Sequence, residues 1–124
     1  MTDATTVDWL AALAADDLTA ARRLIFDMRE QDPTASSAAL CGVALKYPAV
    51  FLRLMAREVD YALGATVGPG YADSMLAVAK VVQRRQLTAE QAAEELEAVT
   101  MPRCQVSRVQ RAINPVLRAL RGQG

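Results

Sequence analysis

The chain has 124 residues, of which 52% are hydrophobic and 23% are charged. This length suits one domain or two small subdomains, and this composition excludes a wholly disordered chain. Histidine is absent, which excludes histidine-containing metal sites and the Ser-His and Cys-His nucleophile pairs of many enzymes. We therefore expect a protein that is not an enzyme and that holds no metal or other cofactor.

The sequence carries no signal for export or membrane insertion. Residues 1–10 include acidic side chains where a secretory signal would be basic, and no apolar run approaches the roughly 18 residues that cross a bilayer. Cys41 and Cys104 lie in apolar helical patterns without a CxxC spacing, so no disulfide framework is expected. These features predict a cytoplasmic protein without a membrane partner.

Four helices are predicted in the first half of the chain, because apolar residues recur there every three or four positions. They cover about residues 7–15, 18–30, 36–46 and 48–63. The predicted caps are Thr5 or Thr6 for the first helix, Asp17 for the second, and Ser36 or Ser37 for the third. The fourth helix is apolar on nearly every side, which is typical of a helix that is central in the fold or buried in a dimer. We expect the apolar excess of residues 38–63 to form a homodimer interface or to bind another protein.

The glycine-rich stretch GATVGPGY at residues 64–71 divides the helical pattern. We expect a loop here that acts as a hinge between an N-terminal subdomain (1–63) and a C-terminal unit (72–124). Helices are predicted at about 72–85, at 89–99 after a capping box of Thr88 and Gln91, and from 104 onward. Pro115 should kink or restart the last helix. The sequence therefore predicts an all-α fold of six to seven helices.

Charge is distributed unevenly along this chain, whose net charge is zero. Residues 1–60 carry a net −3, residues 61–98 a net −2, and residues 99–124 a net +5 that comes from five arginines without any acid. A phosphate backbone responds to such a local patch rather than to the total charge. A basic tail that is merely solvated would have the same composition. The position of the arginines on the helix must therefore distinguish a phosphate-binding patch from a solvated tail.

Residues 87–120 resemble the helix-turn-helix unit of phage and plasmid repressors. The resemblance covers about 35 residues and depends on the small, acidic first helix AEQAAEEL, the break VTMPR, and the sequence VSRVQRA in the second helix. It implies that the second helix enters the major groove of duplex DNA. The residues it implies for base contacts are Arg103, Ser107, Arg108 and Arg111. Those expected to contact phosphates are Arg84, Arg85, Gln105, Arg118 and Arg121.

Two alignments of this resemblance stay open. The first buries the apolar residues Val99, Met101, Val106 and Val109. It places Leu96 at the helix crossing, where a small residue is usual, and Thr100 where glycine is usual. The second alignment places Ala93 at the crossing and buries Leu96, which lengthens the turn by three residues. Both leave Ser107, Arg108 and Arg111 on the outer face.

The resemblance implies a small transcriptional repressor or autoregulator that binds duplex DNA sequence-specifically as a homodimer. In such a protein the acids of the first helix should face away from the phosphates; these are Glu90, Glu94, Glu95 and Glu97. The alternative is a helical adaptor or inhibitor that binds another protein and no DNA. Retention on random duplex that decreases steeply with salt would favour DNA binding.

Overall fold

The structure, a computed structural model, describes residues 4–100 and 107–123, with side chains at residues 6–100 and 108–123. These residues form six helices and no strand, which confirms the predicted all-α fold. The helices are α1 (Ala4–Asp16), α2 (Leu18–Gln31), α3 (Pro33–Lys46), α4 (Pro48–Arg85), α5 (Ala89–Thr100) and α6 (Ser107–Leu120).

Local side-chain caps define several helix ends as predicted. The Asp17 carboxylate accepts a hydrogen bond from the Ala20 N–H at 3.0 Å. Thr88 and Gln91 form a reciprocal capping box: the Gln91 side-chain oxygen accepts from the Thr88 N–H at 3.0 Å, and the Thr88 hydroxyl accepts from the Gln91 N–H at 3.2 Å. Each bond satisfies an N–H that has no partner within the helix.

Two predicted helix starts are wrong. The third helix begins at Pro33, not after Ser36 or Ser37, because the Asp32 carboxylate caps it through the Ala35 N–H and proline suits its first turn. Ser36 is instead buried within α3. Likewise α1 begins at Ala4, so the predicted caps Thr5 and Thr6 lie inside the helix.

The predicted loop at residues 64–71 is helical apart from Gly64, whose φ of 83° and ψ of 171° interrupt α4. In a straight helix, residues eight apart lie about 12 Å from each other. A Cβ on Gly68 would nevertheless collide with the backbone carbonyl of Asp60. Hence α4 bends sharply at Gly64, and Gly68 permits a close approach between its two halves.

One hydrophobic core contains residues of all six helices, on both sides of Gly64. The last helix belongs to it: Ile113 and Leu120 of α6 are fully buried, and they belong to the same core as Leu52 and Met75. The core also accounts for the apolar excess of residues 38–63. Most of those apolar side chains are buried in this core or packed against it, including Val43, Phe51, Leu54, Val59 and Leu63. They therefore do not form the broad exposed surface that we expected for a homodimer or a partner protein.

A polar cluster connects α1 to the end of α3. The Asp8 carboxylate accepts hydrogen bonds from the Lys46 ammonium at 2.8 Å and from the Tyr47 hydroxyl at 2.7 Å. These two bonds, that of Lys46 above all, lower the pKa of Asp8 below its ordinary value of 3.8. The same bond to Asp8 raises the pKa of Lys46.

Substituting Gly64 by alanine should destabilise the fold, because alanine resists a positive φ. We expect Gly64→Ala to lower the free energy of unfolding by about 1 kcal/mol or more, measured by urea denaturation. Gly70→Ala is the matched control, since Gly70 lies in the helical part of α4 and a Cβ there meets nothing within 4 Å. It should raise stability by about 0.5–1 kcal/mol. Equal losses in both variants would contradict the special role of Gly64.

The Asp8 cluster predicts a pH dependence. A carboxylate with a depressed pKa in the folded state stabilises the fold above its unfolded pKa, and this contribution is lost as the pH falls through the folded value. Parent and Asp8→Asn should therefore differ most in unfolding free energy at neutral pH and converge below the ordinary value of 3.8. Urea denaturation at pH 7 and at about pH 2.5 measures both; a difference independent of pH would show that the Asp8 charge is not involved.

Candidate nucleic-acid interface

Helix α6 has one buried and one exposed side. Val109, Ile113, Val116, Leu117 and Leu120 pack into the core. The exposed side carries Arg108, Arg111, Asn114, Pro115 and Arg118. Because the helix rises 1.5 Å per residue, the three arginines span about 15 Å along its axis. α6 remains one continuous helix through Pro115, so the predicted restart near this proline does not occur, and the arginines share one face.

Arg108 has a structural role that the sequence analysis missed. Its Nη2 donates a hydrogen bond to the carbonyl oxygen of Ala62 at 3.1 Å. Ala62 lies just before the break at Gly64, where helical carbonyls lose their usual N–H partners. A cation at such a terminus also interacts favourably with the helix dipole. Arg108 therefore stabilises the end of the first half of α4, while its other N–H groups can still donate elsewhere.

Arg121, predicted to contact phosphate, is paired with the acids of α5. Its Nη2 lies 3.1 Å from Glu97 Oε2, and its Nε lies 3.9 Å from Glu90 Oε1. Glu90 and Glu97 thus lie beside a predicted phosphate contact, although the α5 acids were expected to face away from the phosphates. Seven residues separate Glu90 from Glu97, which places both on one side of α5. Their charges compensate Arg121 and make it the weakest phosphate candidate on the C-terminal segment.

Arg111 and Arg118 are exposed and have no ion-pair partner among the described residues. Both border a surface depression of about 330 Å³, together with Asn114, Arg121 and Glu97. Glu97 pairs with Arg121 at 3.1 Å, whereas the guanidinium groups of Arg111 and Arg118 line the depression without an ion pair to a described residue. Planar guanidinium groups can donate two parallel hydrogen bonds to a phosphate or a guanine edge.

Of the other predicted contacts, the structure describes the side chains of Arg84 and Arg85 alone. Arg84 and Arg85 are exposed in the last turn of α4, where their charge is favourable for the helix dipole. No described hydrogen bond or ion pair brings them to α6. Arg103 and Gln105 lie outside the described residues, and of Ser107 only the backbone is described, as the first residue of α6.

Burial within α5 can be compared with the two alignments of the repressor resemblance. Ala93 and Leu96 are fully buried, whereas Val99 is 39% exposed. Thr100 is buried too, and its hydroxyl donates to the Leu96 carbonyl at 2.7 Å, so α5 continues to this residue. The burial of Ala93 and Leu96 agrees with the second alignment, and the exposure of Val99 disagrees with the first. Met101 and Val106, which the first alignment also buries, lie outside the described residues.

The comparisons with known proteins add no relative. No family model, no curated protein and no solved structure matches the chain.

Across residues 4–100 and 107–123, no group of three or more acids or cysteines is placed to hold a metal ion. None of the described helices has the length and hydropathy of a membrane span. The candidate site therefore depends on the geometry of α6.

Arg108 and Arg111 should differ in their effect on stability. We expect Arg108→Gln to lower the free energy of unfolding by about 0.5–1 kcal/mol, because the Ala62 carbonyl loses a charged donor. Arg111→Gln, on the same exposed face without a described partner, should change it by less than about 0.5 kcal/mol. Urea denaturation measures both; an Arg108→Gln protein as stable as the parent would argue against this hydrogen bond.

Proposed function

We propose that the protein binds duplex DNA sequence-specifically through the outer face of α6, as a small cytoplasmic repressor or autoregulator. The observation that carries this proposal is the exposed stripe of Arg108, Arg111 and Arg118, opposite a side that is buried in the core. The sequence from residue 99 onward contains no acid to oppose this charge. A helix of this length and charge suits the width of the major groove.

Within this proposal the arginines have different tasks. Arg111 is the best candidate for base contacts, because it is exposed and its side chain has no described partner. Arg118 contacts phosphate from the same face. Arg108 divides its donors between DNA and the Ala62 carbonyl. The repressor resemblance adds Arg103 and Ser107 as base contacts, with Gln105, Arg84 and Arg85 on phosphates.

We further propose that the protein acts as a homodimer. A single recognition helix buries a small interface, and helix-turn-helix proteins obtain specificity by placing two such helices on half-sites about one helical turn apart. The broad apolar surface expected from residues 38–63 is largely internal, so a dimer would use other exposed groups. Leu45 and Tyr61 are the large hydrophobic residues of this segment that stay exposed.

A protein-interaction module is the second candidate function. Three aromatic residues, Trp9, Phe26 and Tyr61, expose 62%, 57% and 86% of their surface. Exposed aromatic side chains are the residue type enriched at protein interfaces and their energetic centres. Phe26 and Tyr61 also border one groove between α2 and α4. This function requires no DNA binding.

Selection of bound duplexes from a random pool tests the proposal, and sequencing should return a palindrome if a two-fold dimer binds. On the selected duplex, Arg111→Ala should weaken binding by about 1–3 kcal/mol and reduce discrimination among sequences. Arg118→Ala should weaken binding to all duplexes alike and decrease the salt dependence by about one counterion. Fluorescence anisotropy at several salt concentrations measures each effect.

Arg23→Ala is the matched control, because Arg23 is exposed on α2 and far in sequence from the basic segment. It should bind DNA as the parent does. If the parent shows no salt-dependent duplex binding, the proposal is wrong and the protein-interaction function takes its place. If Arg111→Ala and Arg118→Ala both bind like the parent, α6 is not the DNA-binding element.

A further inference from the structure

A groove of about 520 Å³ runs along the side of α6 that faces α3 and the first half of α4. Its apolar lining comes from Leu40, Cys41, Phe51, Met55, Val59, Ala112 and Val116. The half-buried Met55 is a flexible side chain that adapts to different apolar shapes. Sites for small molecules are typically concave and mostly apolar, with volumes of about 300–1,000 Å³ and a few charged groups.

The charged residues at this groove are two arginines and one acid. Arg29 comes from α2, Arg118 from α6 and Glu58 from α4. The Glu58 carboxylate already accepts a hydrogen bond from Arg22 Nε at 3.2 Å, which compensates its charge. Arg29 and Arg118 are exposed and form no ion pair with a described residue. The rim is therefore electropositive, and the interior is apolar.

We propose that this groove binds one small amphipathic anion, with a flexible acyl chain on the apolar lining and a carboxylate head at Arg29 and Arg118. Each methylene group removed from water contributes to binding, and the guanidinium groups supply hydrogen bonds that match a carboxylate. The volume suits a single acyl chain. It is small for a helix of a partner protein, which needs a groove for residues over two or more turns.

Binding here would regulate the proposed DNA contact, and this part rests on the proposed function. Arg118 borders both the groove and the depression on the outer face of α6. A guanidinium that holds a carboxylate in the groove is not available to a phosphate, and the two negative ligands also repel each other. Binding of the anion in the groove therefore weakens binding of the duplex. By thermodynamic linkage, bound duplex lowers the affinity for the anion by the same factor.

Isothermal titration calorimetry with sodium decanoate, below its micellar concentration, tests the site. We expect saturable binding of one decanoate per chain, with hexanoate at least tenfold weaker because its chain covers less of the lining. Arg29→Glu should weaken decanoate binding at least tenfold. Arg23→Glu is the matched control, since Arg23 lies on the same helix, is exposed and does not border the groove; it should bind decanoate like the parent.

A second variant tests the site by reducing the volume of the groove. Ala112→Phe places a ring from α6 into the groove and should abolish saturable decanoate binding, while circular dichroism checks that the helices remain. If this variant does not fold, Arg29→Glu and its control still decide the matter. Non-saturable uptake, or binding that is equal in the parent and Arg29→Glu, overturns the proposal. A third outcome also overturns the proposal: decanoate does not bind, and sedimentation shows a monomer–dimer equilibrium that Arg29→Glu changes. The groove would then hold a second copy of the chain.

Anisotropy with the selected duplex tests the regulation separately. Saturating decanoate should weaken duplex binding at least fivefold in the parent and leave it unchanged in Arg29→Glu. Unchanged duplex binding in the parent overturns the regulatory link. If no duplex binds at all, the proposed function fails, and the calorimetric result alone decides whether the acyl site exists.

Discussion

The positive φ of Gly64 divides a helix of 38 residues into two halves that pack against one core. Without that bend, α4 would extend over about 57 Å and could not return to the other helices. The bend leaves helical carbonyls without N–H partners, and Arg108 of α6 donates to one of them at Ala62. A backbone break in the middle of the chain thereby helps to fix the position of the helix that carries the candidate site.

Helix α6 combines a buried side and the candidate binding side within 14 residues. Its apolar residues complete the core together with α3, α4 and α5, so burial determines which way the helix faces. The arginines then lie outward because the core has no place for an unpaired charge. The same orientation forms one wall of the apolar groove, whose lining includes Val116. Packing thus accounts for both the exposed basic stripe and the adjoining concave surface.

The features that the sequence predicted well depend on contacts between near neighbours. The Asp17 cap and the Thr88–Gln91 box each join residues three apart, and the amphipathic period of α6 is visible in the chain itself. The misplaced start of α3 is also local, since Asp32 caps Ala35, but the errors at the bend and on the basic face come from contacts over longer distances. Glycine at position 68 indicated a loop, but the structure uses it for a close approach to Asp60. The Arg108–Ala62 bond joins residues 46 apart, and the Arg121–Glu97 pair joins residues 24 apart; neither has a local signal.

The hydrogen bond from Arg108 to Ala62 also bears on how this surface could evolve. A side chain that supports the fold cannot be exchanged without loss, whereas Arg111 has no described partner and can vary at little cost to folding. Under the proposed function, natural variation that changes the DNA sequence preference should therefore accumulate at position 111 before position 108. Position 111, one turn further along the helix, can then change sequence preference, while Arg108 is retained because it supports the fold.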